Sequence, residues 1–168
     1  MTLDTKLASQ RLNELLWESG ETVSTAESCT AGRIAAAITA VPGSSDYFRG
    51  GLICYANNVK TDHLGVSAEL IAEKSPVCEE VARAMVEGAL RMFSTTYAIA
   101  ITGFAGPSAD ANIMGASMIV GTIWIAVSNG QETRTLLLTE DNGRERNLEN
   151  GTRTAIQMLI DLIEEGRK

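Results

Sequence analysis

The chain has 168 residues, 45% of them hydrophobic, and a net charge of −7 at pH 7. This length predicts one domain over residues 1–168, with a core that needs no disulfide or structural metal. The acidic balance, without a cluster of Lys and Arg, argues against binding to nucleic acid or to anionic membranes. The single histidine and the three scattered cysteines give no metal-ligand spacing.

The sequence also predicts where the protein is found. It contains no run of about 18 apolar residues, and its first ten residues lack the layout of a signal peptide. We therefore expect a cytoplasmic protein with no membrane partner, in which Cys29, Cys54 and Cys78 are reduced.

The first predicted elements are a helix, a strand and a second helix. An apolar stripe predicts a helix over residues 4–19, with Gly20 as its C-terminal cap. A short strand follows at residues 22–25, and the Ala- and Ile-rich residues 32–40 predict the second helix. Between strand and helix lie the small residues T-A-E-S-C-T-A-G, which occupy positions 25–32.

This strand-to-helix junction presents Ser28 as a candidate nucleophile. Backbone N–H groups that are free at a helix start suit a phosphate or the oxyanion of acyl transfer. A purely structural role is the alternative, because Ser28 or Thr30 at a helix start is also favoured as a cap.

The rest of the chain alternates between strand and helix patterns. Pro76 falls in the first turn of the strongest helix, and Asn129-Gly130 is predicted as a two-residue hairpin turn. The polar, irregular residues 108–118 predict a mobile loop or an insertion. In order, we predict a strand at 52–55, helices at 57–65, 67–74 and 76–93, strands at 97–101, 121–128 and 133–138, and a helix at 144–165.

These elements predict an α/β fold with a mostly parallel sheet, one antiparallel member and helices on both faces. In such folds ligands bind beyond the carboxyl ends of the parallel strands. Three candidates follow predicted strands: Ser28, Tyr55 with Lys60, and the T-G-F-A-G-P loop of residues 102–107. We expect them to converge on one crevice.

A serine hydroxyl needs a base to act as a nucleophile. His63, the only histidine, would be required for a Ser-His-Asp triad. Lys60 is the other candidate, because burial can depress the pKa of a lysine until the neutral amine is populated. Tyr55 could orient that amine or pass a proton. The structural alternative is a solvated surface lysine and a core aromatic ring.

Cys29 is a rival nucleophile in the same junction. A cysteine together with Lys60 and Glu27 matches the residue types of Cys-Lys-Glu amide hydrolases. Adjacent side chains point in different directions, so Ser28 and Cys29 cannot face the crevice equally. Free cysteines are also common as small buried hydrophobic residues.

Five motifs in this order resemble the CinA C-terminal domain family. They are A-E-S-C-T-A-G, P-G-S-S-D-Y-F-R-G-G, Y-A-N-N-V-K with L-G-V, T-G-F-A-G-P and V-G-T-I-W-I-A-V, over residues 22–127. Stand-alone members of this family are nicotinamide-nucleotide amidases, also described as competence/damage-inducible proteins. The resemblance implies a three-layer α/β/α domain with a mixed five-stranded sheet, no metal and a homo-oligomer. We expect no cofactor.

The resemblance also implies the reaction and its residues. The carboxamide of nicotinamide mononucleotide is hydrolysed to nicotinate mononucleotide and ammonia, in pyridine-nucleotide recycling. The nucleophilic serine falls on Ser28, the catalytic lysine on Lys60 and the assisting tyrosine on Tyr55. The residues expected to bind the substrate are Cys29, Thr30, Gly32, Thr102, Gly103, Ala105 and Gly106.

The chain departs from the family pattern at several positions. Ala31 replaces the first glycine of S-C-T-G-G, and Cys78 replaces the serine of the usual G-A-V-S helix start. Leu148 stands where an arginine is expected, and Asp110 lies in a loop that usually continues into glycines. The alternative function is therefore a non-catalytic or substrate-shifted nucleotide-binding paralogue.

Overall fold

The computed structural model describes residues 1–107 and 119–168. The predicted loop at residues 108–118, with Asp110, lies outside the described residues. The elements are α1 (Leu3–Leu16), β1 (Val23–Glu27), α2 (Arg33–Thr39), β2 (Phe48–Ile53), α3 (Asn57–Leu64), α4 (Ala68–Lys74), α5 (Glu79–Phe93), β3 (Tyr97–Gly103), β4 (Ile123–Ser128), β5 (Thr133–Leu138) and α6 (Arg144–Gly166), with a short 3₁₀ turn at Ser44–Asp46.

The five strands form one mixed sheet in the order β2-β1-β3-β4-β5. Strand β1 pairs in parallel with both β2 and β3, whereas β4 is antiparallel to β3 and to β5. Four strands therefore share one direction and only β4 opposes it. The predicted α/β class, with a mixed and mostly parallel sheet between two helical layers, is confirmed.

The two faces of the sheet carry side chains of different size. On β3, Tyr97, Ile99 and Ile101 pack with α1, α2 and α6, whereas Ala98 and Ala100 face α3 and α5. Large side chains fill the wider layer, and alanines let α5 approach the sheet closely. Successive residues of a strand point to opposite faces, so this alternation separates the two helical layers.

Close helix packing also explains two glycines. Gly151 in α6 lies where a Cβ atom would come 3.0 Å from Cδ1 of Ile101. A Cβ atom on Gly88 in α5 would overlap the carbonyl oxygen of Leu64 and lie 2.8 Å from its Cα. Leu64 is the last residue of α3, so Gly88 lets α5 hold the helix that carries Lys60.

Some predicted boundaries are wrong, and hydrogen bonds explain why. Helix α5 begins at Glu79 rather than Pro76, because the backbone of Cys78 is extended, and the Pro76 carbonyl accepts a hydrogen bond from Thr102 Oγ1 at 2.8 Å instead of one from within a helix. Cys78 caps this helix without a side-chain bond. Helix α1 ends at Leu16 rather than near Gly20, since the Ser19 hydroxyl binds the Leu16 carbonyl at 2.7 Å.

Two other differences concern the strands. Strand β2 begins at Phe48, four residues before its predicted start, because its glycines pair with β1 despite their low strand propensity. The hairpin turn centres on Gly130 and Gln131 rather than on Asn129 and Gly130. There Asn129 Oδ1 accepts hydrogen bonds from the backbone N–H groups of Gln131 and Glu132. Among the described residues, no helix combines the length and apolarity that crossing a membrane requires.

We expect Gly88→Ala to lower the free energy of unfolding by about 1 to 3 kcal/mol, because the added methyl group overpacks the contact between α5 and α3. Urea unfolding followed by circular dichroism measures the change. Gly166→Ala is the matched control, since a Cβ atom there meets nothing within 4 Å. Equal stabilities of the two variants would contradict the packing argument.

Candidate active site

The candidate site forms where three strands end at one edge of the sheet. Ser28 directly follows β1, and its backbone N–H donates to the Ile101 carbonyl of β3 at 3.0 Å. On the other side, the N–H of Cys54 donates to the Glu27 carbonyl at 2.8 Å. Helix α2 covers one face and α5 the other, so the chain reverses its winding at β1. A crevice of this kind is the usual ligand site of open α/β sheets.

Lys60 lies in the first half of α3, the helix that follows β2, and its side chain turns into the protein. It is only 1% exposed. Its Nζ lies 2.8 Å from the Cys54 carbonyl, 3.2 Å from the Tyr55 carbonyl and 3.2 Å from Ser28 Oγ. None of these partners is a carboxylate. Burial therefore lowers the pKa of Lys60 below its ordinary value of 10.5.

This arrangement suits a neutral amine. A neutral amine has two N–H donors and one lone pair, and the two carbonyls accept both donors. The lone pair is left for the hydroxyl proton of Ser28, whose Oγ is the third neighbour. The amine is therefore placed to remove that proton, which is the arrangement of a serine nucleophile with a lysine base.

The side chains of Ser28 and Cys29, which follow β1, lie on opposite sides of the sheet. Ser28 reaches Lys60 on the α3 side, whereas Cys29 belongs to the core cluster on the α2 side and is 6% exposed. Burial raises the pKa of the Cys29 thiol to about 12. Since the thiolate is the nucleophilic form of cysteine, the geometry favours Ser28 as the nucleophile.

The buried carboxylate of Glu27 occupies the start of α2. It accepts hydrogen bonds from the backbone N–H groups of Gly32, Ile34 and Ala35 and from the hydroxyl of Thr30. The helix start therefore has no free donors at these three positions. The sequence pattern did not indicate this use of Glu27.

Two backbone N–H groups of the junction, those of Cys29 and Thr30, face the sulfur of Cys29, which is a weak acceptor. Within residues 1–107 and 119–168, the amides of Cys29 and Thr30 donate to no oxygen. The side chain of Thr30 is engaged by Glu27, so only its amide can face a ligand. Two adjacent amides next to a nucleophile are a common oxyanion site.

The other candidates that follow β2 lie at the surface. The side chain of Tyr55 is 58% exposed, and only its carbonyl contacts Lys60. His63 is exposed near the end of α3. The neighbour of Ser28 is Lys60 rather than His63, so the geometry does not form a Ser-His-Asp triad.

The end of β3 and the loop that follows it contact neighbouring elements through most of their polar atoms. Thr102 donates to Pro76, and Gly103 lies so close to β4 that a Cβ atom would come 2.6 Å from Cγ1 of Ile123. The carbonyl of Ala105 accepts from Asn147 at 3.1 Å. The carbonyl of Gly106 also accepts a hydrogen bond, from α6. These contacts hold the backbone of residues 102–106 against Pro76, β4 and α6.

Arg144 is a charged residue near the candidate site, and none of the sequence motifs had indicated it as a site residue. It is the first residue of α6, and its Nη1 donates to the Gly106 carbonyl at 2.6 Å. Its positive charge acts to lower the pKa of the Cys29 thiol, although burial dominates. The sequence signal that could have identified Arg144 is its position directly after Gly143, at the predicted start of the last helix.

The arrangement of side chains around Ser28 and Lys60 is what identifies the candidate site. In the part of the chain that the structure describes, no three His, Cys, Asp or Glu side chains form a metal-binding group. A cavity of about 310 Å³ lies between α6 and the β4–β5 hairpin, but Ser28 and Lys60 do not line it. The site is therefore defined by its side-chain geometry.

The low pKa of Lys60 gives the stability a defined pH dependence. The unfolded chain keeps the proton up to an ordinary pKa of 10.5, whereas the folded protein releases it at lower pH. The unfolded state holds more protons in that interval, so the free energy of unfolding rises with pH there. The thiols of Cys29, Cys54 and Cys78, whose pKa values are raised from 9.0, oppose this trend as the pH rises through that value.

We expect Lys60→Met to reduce this rise, because methionine fills a similar volume without a titratable group. Urea unfolding at a series of pH values from about 7 to about 10.5, the ordinary pKa of a lysine, compares the variant with the unmodified protein. Lys6→Met, at an exposed position of α1, is the control and keeps the full rise. An equal rise for Lys60→Met and the unmodified protein would contradict a depressed pKa.

The sequence of the chain is similar to that of known proteins. Residues 5–163 match the family model of the CinA C-terminal domain. The chain is 39% identical to a CinA-like protein of Mycobacterium sp. (strain JLS), over 97% of this chain and 38% of that protein. It is 41% identical to a putative competence-damage inducible protein of Desulforudis audaxviator, over 78% of this chain and 31% of that protein. The chain therefore spans about a third of the length of these curated relatives.

Solved structures show the same fold. The competence/damage inducible protein CihA from Agrobacterium tumefaciens superposes with a TM-score of 0.89 at 34% identity, covering 96% of this chain and 99% of that one. A CinA superfamily protein from Escherichia coli has a TM-score of 0.89 at 27% identity, covering 96% and 92%. With a matching domain, fold and sequence over nearly its whole length, the chain belongs to the CinA C-terminal domain family.

Proposed function

We propose that the chain is an amide hydrolase that converts nicotinamide mononucleotide and water into nicotinate mononucleotide and ammonia. The observation that carries the proposal is the buried Lys60 amine, which lies 3.2 Å from Ser28 Oγ and has no carboxylate partner among the described residues. The choice of substrate rests on the resemblance to nicotinamide-nucleotide amidases.

In the first half of the reaction, Ser28 Oγ attacks the carboxamide carbon while neutral Lys60 takes the hydroxyl proton. The amides of Cys29 and Thr30 donate to the oxygen that becomes negative. The tetrahedral intermediate then collapses. Protonated Lys60 returns its proton to the leaving nitrogen, so that ammonia departs and a nicotinoyl ester remains on Ser28.

In the second half, water resolves the ester. Lys60, neutral again, takes a proton from the water that attacks the ester carbon. Cleavage of the ester bond returns the proton from Lys60 to Ser28 Oγ and releases the carboxylic acid, which loses its own proton to water to give the carboxylate product. The same base therefore serves both steps.

Tyr55 is assigned the assisting role that the resemblance implies. Its ring is 58% exposed, and among the described residues its hydroxyl has no hydrogen-bond partner. Its assistance therefore requires the hydroxyl to turn toward the bound substrate. An exposed side chain next to the base has the freedom to do so.

The proposal assigns the substrate phosphate to the side of the crevice near Arg144. This guanidinium uses one N–H on the Gly106 carbonyl, and a guanidinium carries five donors in all. Arginine binds phosphate through paired, charge-assisted hydrogen bonds. The expected backbone contacts from Gly103 to Gly106 lie next to this group.

Self-association and a cytoplasmic location complete the proposal. Leu136 and Leu137 on the edge strand β5 are 39% and 38% exposed, and exposed apolar side chains on an edge strand favour pairing with another chain. Analytical ultracentrifugation tests the oligomeric state.

We expect the purified protein to release ammonia from nicotinamide mononucleotide and Ser28→Ala to lose this activity, because losing the nucleophile of such a site costs up to about a million-fold in rate. Cys29→Ala is the matched control and should keep at least about a tenth of the activity, since a buried thiol with a raised pKa takes no part in the chemistry. A coupled assay for ammonia measures both.

A protein that releases no more ammonia than Ser28→Ala would refute the amidase assignment. If nicotinamide mononucleotide then still raised the melting temperature, the protein would be the non-catalytic nucleotide-binding paralogue instead. Leu148 supports this second function, because the family pattern has an arginine at this position. In this chain the leucine is buried in the core, with 4% of its surface exposed.

We expect Arg144→Ala to raise the KM for nicotinamide mononucleotide by about 10- to 100-fold, the cost of a charge-assisted hydrogen bond. The nucleoside without phosphate, nicotinamide riboside, should show little change, since it lacks the group that Arg144 binds. Arg146→Ala, an exposed arginine in the same turn of α6, is the control. Equal losses for both substrates would contradict a phosphate contact.

A further inference from the structure

Glu27 takes no part in the proposed proton transfers, yet its carboxylate is among the most fully engaged groups of the protein. It is 1% exposed and directly precedes Ser28. Its Oε2 accepts from Thr30 Oγ1 at 2.7 Å and from the N–H groups of Gly32 and Ile34 at 3.0 Å each, and its Oε1 accepts from the N–H of Ala35 at 2.8 Å.

The turn that this carboxylate closes has an unfavourable backbone. Ala31 and Gly32 both have positive φ, 50° and 95°. The left-handed conformation costs an alanine energy because its Cβ approaches the following carbonyl oxygen. Such a residue persists only where its surroundings impose the conformation. The groups bound to Glu27 lie on both sides of Ala31, at Thr30 and at Gly32, so the carboxylate clamps the turn around it.

The clamped turn carries the parts of the candidate site that need exact orientation. Ser28 begins the turn, and its carbonyl accepts from the Ala31 N–H at 3.1 Å. The amides of Cys29 and Thr30, for which no oxygen of the described residues is an acceptor, lie inside it. If the turn relaxed, these amides and Ser28 Oγ would change direction together.

We propose that Glu27 is a positioning residue. Its carboxylate holds residues 28–32 so that Ser28 Oγ stays in contact with Lys60 Nζ and two amides stay open to the oxyanion of the substrate. The catalytic consequence of this clamp rests on the proposed amide hydrolysis, whereas the clamp itself does not.

Glu27 does this without pairing with Lys60. Strand alternation places the carboxylate on the α2 side of the sheet, where backbone N–H groups bind it, while Lys60 is bound by carbonyls on the α3 side. Removing the negative charge should therefore lower the rate without moving the pH at which the base titrates.

Glu27→Gln is the first test. The amide group keeps the size of the side chain, but its NH₂ faces a backbone donor, so part of the clamp opens. Hydrogen exchange at the amides of Gly32, Ile34 and Ala35 should become at least about tenfold faster. This readout does not depend on any activity. Unchanged exchange would overturn the clamp.

Glu149→Gln is the matched control. Its carboxylate also serves a helix start, accepting from the backbone N–H and hydroxyl of Thr2 and from the hydroxyl of Thr5 at the beginning of α1. The control should lose stability without faster exchange at residues 32–35. Equal acceleration in both variants would mean general destabilisation and would overturn a local clamp.

Reactivity of Ser28 gives the catalytic readout. With an alkyl fluorophosphonate probe, Ser28 Oγ bonds to phosphorus, fluoride leaves and Lys60 takes the hydroxyl proton. At a temperature where both proteins are folded, Glu27→Gln should label at least about tenfold more slowly. Its kcat should fall by a similar factor, with KM within about twofold and an unchanged midpoint in the pH profile. A shifted midpoint with an unchanged plateau would overturn positioning in favour of an electrostatic effect.

If Glu27→Gln does not fold, the variants Glu27→Asp and Ala31→Gly test the same proposal. Glu27→Asp keeps the charge but is one methylene too short to reach all four donors, so it should speed exchange in the same way. Ala31→Gly removes the cost of the left-handed turn, and should reduce the effect of Glu27→Asp on exchange and labelling. Strictly additive effects would contradict a shared turn.

These readouts separate the two proposals. Faster exchange and slower labelling, in a protein that releases no ammonia from nicotinamide mononucleotide, would support the clamp and reject the substrate. Turnover that survives Glu27→Gln undiminished would support the hydrolase and reject the positioning role.

Discussion

The burial of the Lys60 amine among uncharged acceptors is the constraint on which the candidate site depends. A carboxylate at the same place would stabilise the ammonium form and raise the pKa, and bulk water would also favour the charged form. The carbonyls of Cys54 and Tyr55 bind the amine without adding charge. Both carbonyls lie in the short link between β2 and α3, so the register of an edge strand determines where the base can sit.

This constraint extends into the packing of the helices. Lys60 is held in place because α3 is held against α5, and the contact requires Gly88 beside Leu64. Helix α5 in turn reaches the sheet because that face carries alanines where the opposite face carries isoleucines. A buried amine lowers stability, and the dense core on both faces of the sheet provides the stability that offsets this cost.

Much of the site could be predicted from the sequence because it depends on strand order. Ser28 and Lys60 both follow strands, and parallel strands end at the same edge of a sheet, so their meeting needed no knowledge of side-chain packing. The role of Glu27 could not be predicted in this way. A glutamate after an apolar strand is usually solvated, and only the fold of the turn shows four donors converging on it. The start of β2 was missed because glycine pairing depends on the neighbouring strand.

The difference in direction between neighbouring residues explains how a buried carboxylate and a buried amine can lie on either side of one serine without forming an ion pair. Glu27 and Cys29 face α2, whereas Ser28 faces α3 and Lys60. Because the carboxylate is satisfied by amides and the amine by carbonyls, neither requires the other as a partner. A direct ion pair would hold the proton on Lys60 and remove its capacity to act as a base. A shift of one residue in β1 would turn the side chains along this strand to the opposite face, and Ser28 would then point away from Lys60. The registers of β1 with β2 and with β3 are therefore as necessary to the candidate chemistry as the serine itself.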